Sequence, residues 1–296
     1  MTLRIALLLA AAACLALPVA ATATGSSTPA VGTHADATDL STVEGAQPFE
    51  GGYAVPLKGE RPAWYTDELA ARVEAAEGQP VAAPGDAPLP GEVGIRPGSW
   101  MIAPSGCTMN FVFRSGSTLG IGTAGHCVDG RGDSVVLLTV APGGSNPVLV
   151  DIGTVVKHHD NGIGDDFALV SIRPELYAWV FPTMAVVGGP CGAYTGPGPE
   201  TVWHYGHGLA IGTGGTPRAG VGLRWGASEF GWVGAAIFGD SGSGVRVGTG
   251  LAAAGDLTHL VVNTKWLPNY IAGTRISKML SIAGGGWTLA SSPLCV

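Results

Sequence analysis

From Trp100 onward the sequence predicts an all-β domain, either a sandwich or a pair of barrels. Three observations carry that expectation. Short apolar runs recur at 135–140, 148–156, 167–172, 201–205, 221–225 and 257–263. Gly and Pro clusters separate them, and only 276–282 has the pattern of a short helix. Met109, Phe111 and Phe113 alternate with Asn110, Val112 and Arg114, the period of a half-buried strand. A glycine-rich strip from Gly188 to Pro199 divides the region near its middle, and no repeat of 20–50 residues is present.

The first 93 residues read differently. Residues 1–4 are a short basic start, 5–17 are apolar, and Ala21-Thr22-Ala23 offers small residues for cleavage. That is the pattern of a secretory signal peptide over 1–23, too short for a membrane span. Cys14 lies within it, and Ala11 stands where a lipid-attachment motif would want Leu. Residues 24–93 are acidic and rich in Ala, Gly and Pro, so they read as a removable pro-segment or as a flexible tail and linker. Only 65–77 looks structured there: Asp67 and Glu68 suit a helix start, Leu69 and Val73 share a face, and Gly78 can end it. The Pro-studded stretch 80–97 reads as a linker.

Charge and cysteines narrow the class. Residues 1–93 hold 4 basic and 11 acidic residues, whereas 94–296 hold 11 of each, so the whole net charge of −7 sits in the first third. A neutral main domain gives no reason to expect nucleic acid or an anionic membrane as partner. Without Cys14 the chain has Cys107, Cys127, Cys191 and Cys295. In an exported chain these read as two disulfides with three possible pairings, and their spacing does not suit zinc.

Three segments carry the residue types that hydrolytic chemistry needs. Serine is a weak nucleophile until a histidine takes its proton and a carboxylate holds that histidine in the right tautomer. Thr123-Ala124-Gly125-His126-Cys127 supplies a histidine at a small-residue strand end; alone, such a histidine simply ends a strand. Asp165-Asp166 opens the apolar run Phe167-Ala168-Leu169-Val170, and Asp166 is preferred because it directly precedes that run. Gly239-Asp240-Ser241-Gly242 is a tight glycine-flanked turn, whose Gly239 and Ser241 N–H groups are placed to stabilise an oxyanion.

Together these segments, in the order His126, Asp166, Ser241, resemble the chymotrypsin/trypsin family, in particular its small bacterial secreted branch of streptogrisin and α-lytic type. The resemblance covers residues 94–296. It implies two six-stranded antiparallel barrels with the active site in the cleft between them, His126 and Asp166 coming from the first and Ser241 from the second. It also implies a Cys107–Cys127 bridge, leaving Cys191 with Cys295. Asp240 would make a buried ion pair, with a new N-terminus or with an internal arginine such as Arg218 or Arg224. The implied specificity pocket involves Ala235, Ala236 and Phe238, and the substrate-pairing strand involves Thr258 and His259. No acid stands at the pocket base, so an apolar side chain before the scissile bond is expected rather than Lys or Arg. His259 departs from the apolar residue usual there; it is either a strand residue or a contact for an acidic substrate.

The expectation is therefore a secreted, monomeric serine endopeptidase made as a zymogen. It would act on proteins or peptides and need neither metal nor other cofactor. A catalytically inactive protein on the same fold, or a secreted esterase, are the alternatives. An α/β-hydrolase esterase would place its histidine last, whereas here His126 comes first. His158 with His159, the Asp160–Asp166 stretch, and His204 with His207 lack the spacing of metal or calcium sites. Trp203, Trp225 and Trp232 are expected in the core.

Overall fold

The computed structural model describes residues 42–208, 215–265, 267 and 269–295. The expected signal peptide, with Cys14, and residues 24–41 of the acidic segment lie outside the described residues. In chain order the first elements are β1 (Gln47–Phe49), β2 (Gly52–Pro56), α1 (Asp67–Ala75) and β3 (Val81–Ala82). Seven strands follow: β4 (Trp100–Ala103), β5 (Cys107–Thr108), β6 (Val112–Ser115), β7 (Thr118–Thr123), β8 (Ser134–Val140), β9 (Pro147–Asp160) and β10 (Asp166–Ile172). A second seven are β11 (Glu200–Gly206), β12 (Thr216–Trp225), β13 (Glu229–Gly234), β14 (Gly244–Val247), β15 (Ala253–Asp256), β16 (His259–Val262) and β17 (Asn269–Thr274). Helix α2 (Ile276–Ala283) and β18 (Thr288–Leu289) complete the described elements.

Both sheets are antiparallel and curl until their ends meet. The first runs β6-β7-β10-β9-β8-β4-β5, and β5 and β6 are nearly continuous in the chain. The second runs β16-β17-β13-β12-β11-β14-β15, with only Leu257 and Thr258 between β15 and β16. Each path is thus six strands, one of them interrupted, bent round on itself. This is the chymotrypsin-like double barrel. Ile121, Leu137, Val150, Ala168 and Val170 fill the first barrel, and Val202, Phe230, Trp232, Val245 and Val247 fill the second. Trp232 is buried as expected, but Trp203 and Trp225 are only partly so.

Two readings of the sequence need correction. The stretch 109–113 is not half-buried: Met109, Asn110, Phe111, Val112 and Phe113 are all fully buried. Met109 and Val112 enter the first barrel while Phe111 and Phe113 pack with Ala253 and α2 residues Ile276 and Met279, so the segment has no solvent face. Nor is 65–77 the only structured part of the acidic segment. Helix α1 does form, with Thr66 Oγ1 accepting from Leu69 N at 3.3 Å. Its Leu69 and Val73 pack with Tyr65 against Trp100, Ile102, Val136, Leu138 and Leu149. Burial of this kind contributes about 1.5–3 kcal/mol per large apolar side chain. But β3 also pairs with β9, Glu92 is buried, and β2 adds to the second sheet beside β16. These short strands are held by main-chain bonds to distant partners, so no local apolar pattern announces them.

The disulfides join Cys107 to Cys127 (S–S 2.01 Å) and Cys191 to Cys295 (1.96 Å). On a loop-entropy model they contribute about 3 and about 5 kcal/mol. Among the described residues no helix is long and apolar enough to cross a membrane.

Candidate active site

His126 sits in a single 3-10 turn, Gly125–Cys127, directly after β7. The bridge from Cys127 to Cys107 in β5 fixes that turn from behind. Asp166 opens β10, the strand paired with β7, so sheet register alone brings it beside the turn. The His126 N–H donates to Asp166 Oδ1 (3.0 Å), and His126 Nδ1 lies 2.7 Å from Asp166 Oδ2. On the far edge of the ring, Nε2 is 2.8 Å from Ser241 Oγ. With the proton on Nδ1 and directed at the carboxylate, Nε2 is free to accept the serine proton.

Asp166 is fully buried. Burial alone would raise its pKa, but the charge and hydrogen bonds of His126, with a lesser contribution from His259, outweigh it and hold the carboxyl below its ordinary range. It is therefore a fixed negative charge under the imidazole. Asp165 is employed elsewhere, half-exposed and bonded to His159, Asn161 and Lys278.

Ser241 reaches the site from the second barrel on the turn before β14. Gly242 has φ +86°, and any side chain there would strike the Thr108 carbonyl and Thr123 Oγ1, so this position requires glycine. The neighbouring chain is clamped: Thr108 N donates to Ser241 O (2.8 Å) and Gly242 N to Leu257 O (2.7 Å). Gly239 N and Ser241 N converge on one acceptor, the Leu57 carbonyl oxygen, at 2.7 and 3.3 Å. Two backbone donors directed at one carbonyl oxygen form the arrangement that stabilises a developing oxyanion.

The turn owes its shape to Asp240, which is fully buried. Arg218 Nη1 contacts both its oxygens, at 2.6 and 2.7 Å, and the N–H groups of Gly208 and Ile237 each donate to it at 2.9 Å. The ion-pair partner is thus an arginine of β12, while Arg224 pairs with Glu50 and Glu229. Behind the turn, Thr108 Oγ1 donates to Gly239 O (2.9 Å) and accepts from His207 N (3.0 Å). His207 Nε2 in turn lies 3.0 Å from Glu92, and its ring stacks on Trp100. His204 is engaged separately, with Nε2 3.0 Å from Ala235 O, so the two histidines do not form a joint site.

The expected pocket residues divide. Ala236 packs against the apolar cluster that holds Leu57, while Ala235 and Phe238 are exposed. Thr258 faces the site through its carbonyl, which accepts from Leu57 N (3.0 Å) and lies 2.9 Å from Ser241 Oγ. His259 is buried beside His126 and Asp166, its Nδ1 2.9 Å from Thr258 Oγ1 and 3.7 Å from Asp166 Oδ2. Burial pushes its pKa down to about 4, more than the attraction of Asp166 restores. At neutral pH it is an uncharged wall of the cleft. The ligand atoms of His126, Asp166 and His259 lie within 4.8 Å of one another. Because His126 and Asp166 already bond each other and Thr258 engages His259, a cation there would have to displace those contacts.

Asp256 is a buried acid that the sequence reading missed, hidden at the end of the weak strand motif Ala-Ala-Gly-Asp. It accepts from Thr274 N (3.2 Å) and lies 3.4 Å from Asn110 Nδ2. Burial, then the nearby Asp166 charge, raises its pKa well above 3.8. Above the unfolded value of 3.8 the unfolded chain ionises first, so rising pH costs stability until the folded carboxyl ionises too. Asp256→Asn is expected to remove that slope of about 1.4 kcal/mol per pH unit. Urea denaturation from pH 4 to 7 should show the variant gaining on the wild type as pH rises; a constant difference would contradict the neutral carboxyl.

No protein-family description matches the chain, and no curated protein does. Among solved structures it is similar to Thermobifida fusca Protease A, at 21% identity and TM-score 0.48 over 67% of this chain and 100% of that one. It is also similar to a glutamic acid specific serine protease that uses a histidine triad in substrate binding (14%, TM-score 0.48, 66% and 100%). A third is the alpha-lytic protease homolog N4 (15%, TM-score 0.42, 63% and 95%). At these identities and scores none of them bears on activity or substrate.

Proposed function

We propose that this chain is an exported serine endopeptidase in which Ser241 is the nucleophile, His126 the general base and then acid, and Asp166 the orienting carboxylate. The observation that carries this reading is the unbroken line from Asp166 Oδ2 through His126 to Ser241 Oγ, at 2.7 and 2.8 Å. It ends beside two N–H groups that share one carbonyl oxygen. Ser241 attacks a peptide carbonyl while His126 Nε2 takes the hydroxyl proton. Gly239 and Ser241 N–H groups hold the oxyanion, and His126 then protonates the leaving amine. Water, deprotonated by His126, releases the acyl group. Support for peptides over small esters comes from β16, which offers main-chain bonds to an extended strand. Alanine rather than an acid at 235 and 236 supports an apolar residue before the scissile bond, and the neutral His259 gives no positive charge for an acidic one.

A panel of otherwise identical peptides with Leu, Phe, Lys or Glu before the scissile bond tests the substrate preference. Leu or Phe is expected to lead Lys and Glu by about 100-fold or more in kcat/KM. A lead for Glu would return His259 to a substrate-binding role. Hydrolysis of small esters without any peptide would replace the endopeptidase reading with an esterase.

A further inference from the structure

We propose that residues 53–60 occupy the active-site cleft as a substrate and that Ser241 cleaves the Leu57–Lys58 bond of its own chain. This rests on the peptidase reading above and adds to it a bond, a position and a product. Strand β2 runs antiparallel to β16, with Tyr53, Ala54, Val55 and Pro56 opposite Val262, Val261, Leu260 and His259. At the end of that ladder Leu57 N donates to Thr258 O (3.0 Å). The Leu57 side chain is buried in the second barrel's cluster, against which Ala236 packs, whereas Lys58 is exposed. Beyond the bond, Gly59 and Gly106 exchange both main-chain bonds, at 2.8 and 3.1 Å. The chain is therefore gripped on both sides of one peptide unit, whose carbonyl oxygen accepts from both Gly239 N and Ser241 N. A strand that merely filled a sheet edge would have no reason to present a carbonyl there.

The chemistry closes without any added reagent but water. Ser241 Oγ bonds to the Leu57 carbonyl carbon as its proton passes to His126 Nε2. The Leu57–Lys58 C–N bond breaks, and that proton goes to the Lys58 nitrogen. Water then hydrolyses the ester, leaving a Leu57 carboxylate and a new amino terminus at Lys58. Both disulfides lie later in the chain, so among the described residues no covalent link holds the released piece, which keeps the β2–β16 ladder, the buried Leu57 and contacts such as Glu50 with Arg224 (2.7 Å). Residues from 58 to 93 stay, because α1, β3 and Glu92 pack into the first barrel and behind the catalytic turn. The mature chain thus starts at Lys58 rather than near Gly94, and before the cut the segment blocks access to the buried Ser241.

Intact mass and amino-terminal sequencing of the purified full chain test this, with Ser241→Ala, Leu57→Asp and Lys58→Pro beside the wild type. The wild type is expected to yield a chain starting at Lys58, and all three variants to lose that cut. Lys58→Pro keeps the Leu57 anchor, so it guards against misfolding of Leu57→Asp. A synthetic peptide of residues 53–60 should be cut after Leu57 by the processed enzyme. An intact Leu57–Lys58 bond in a wild type that hydrolyses apolar peptides would overturn the proposal and leave the peptidase reading standing. So would a Lys58 terminus appearing equally in Ser241→Ala, since another protease would have made it. If wild type and Leu57→Asp, whose segment no longer fits the pocket, both fail to label with a fluorophosphonate or to hydrolyse peptide, the peptidase reading falls with it.

Discussion

Ser241→Ala is expected to lower peptide turnover about 10⁶-fold, the largest effect of any single substitution in this chain. The side chain contributes one oxygen, placed 2.8 Å from His126 Nε2 and 2.9 Å from Thr258 O. Its removal leaves both backbone N–H donors of the turn in place, so once residues up to Leu57 have been cut away by added wild-type enzyme, substrate should still bind and residual hydrolysis should reflect those donors alone. The stability cost is about 1 kcal/mol, that of an ordinary hydrogen bond. Far-ultraviolet circular dichroism and the denaturation midpoint should stay close to wild type while kcat collapses. A variant that remained active with an unchanged fold would remove Ser241 from the chemistry.

Asp166→Asn is expected to cut kcat by about 10⁴ with little change in KM. Asparagine occupies nearly the same volume, so the effect is electronic. An amide turned with its nitrogen toward His126 Nδ1 donates where the carboxylate accepted, and drives the imidazole proton to Nε2, the edge that must accept from Ser241. The fixed negative charge that would stabilise the imidazolium is lost as well. In transition-state terms this is about 5.5 kcal/mol. Steady-state kinetics on an apolar peptide checks it. Undiminished activity would move the role to Asp165, despite its bonds to His159 and Lys278, or sink the triad altogether.

The parts of this site that were legible in the sequence are those whose chemistry is written in adjacent residues. Gly239-Asp240-Ser241-Gly242 declares a turn because glycine is needed on both sides of the serine, and His126-Cys127 joins a base to an anchor. Asp166 was readable because it opens an apolar strand. The run 135–140 became β8 and 276–282 became α2 for similarly local reasons. What stayed hidden depends on pairing across long stretches of chain. Strand β2 has an ordinary sequence, Gly-Tyr-Ala-Val-Pro, and exists only because β16 offers it a main-chain edge some two hundred residues later. Asp240 could not be assigned to Arg218 over Arg224, since only the β11–β12 register puts Arg218 behind the turn. Strands β7, β13 and β15 carry glycines where β-branched residues would normally mark a strand, which hides them from a reading of local pattern. Glu92 and His207 are 115 residues apart and meet only in the folded chain.

The central claim is an activated Ser241, and the most direct measurement of it is the intact mass of the purified protein before and after a fluorophosphonate, with Ser241→Ala treated in parallel. One adduct per chain, mapped to Ser241 and lost in the variant, is the expected result. A folded chain from which residues up to Leu57 have departed, yet which takes up no adduct, would contradict it and leave an inactive protein on the same double barrel.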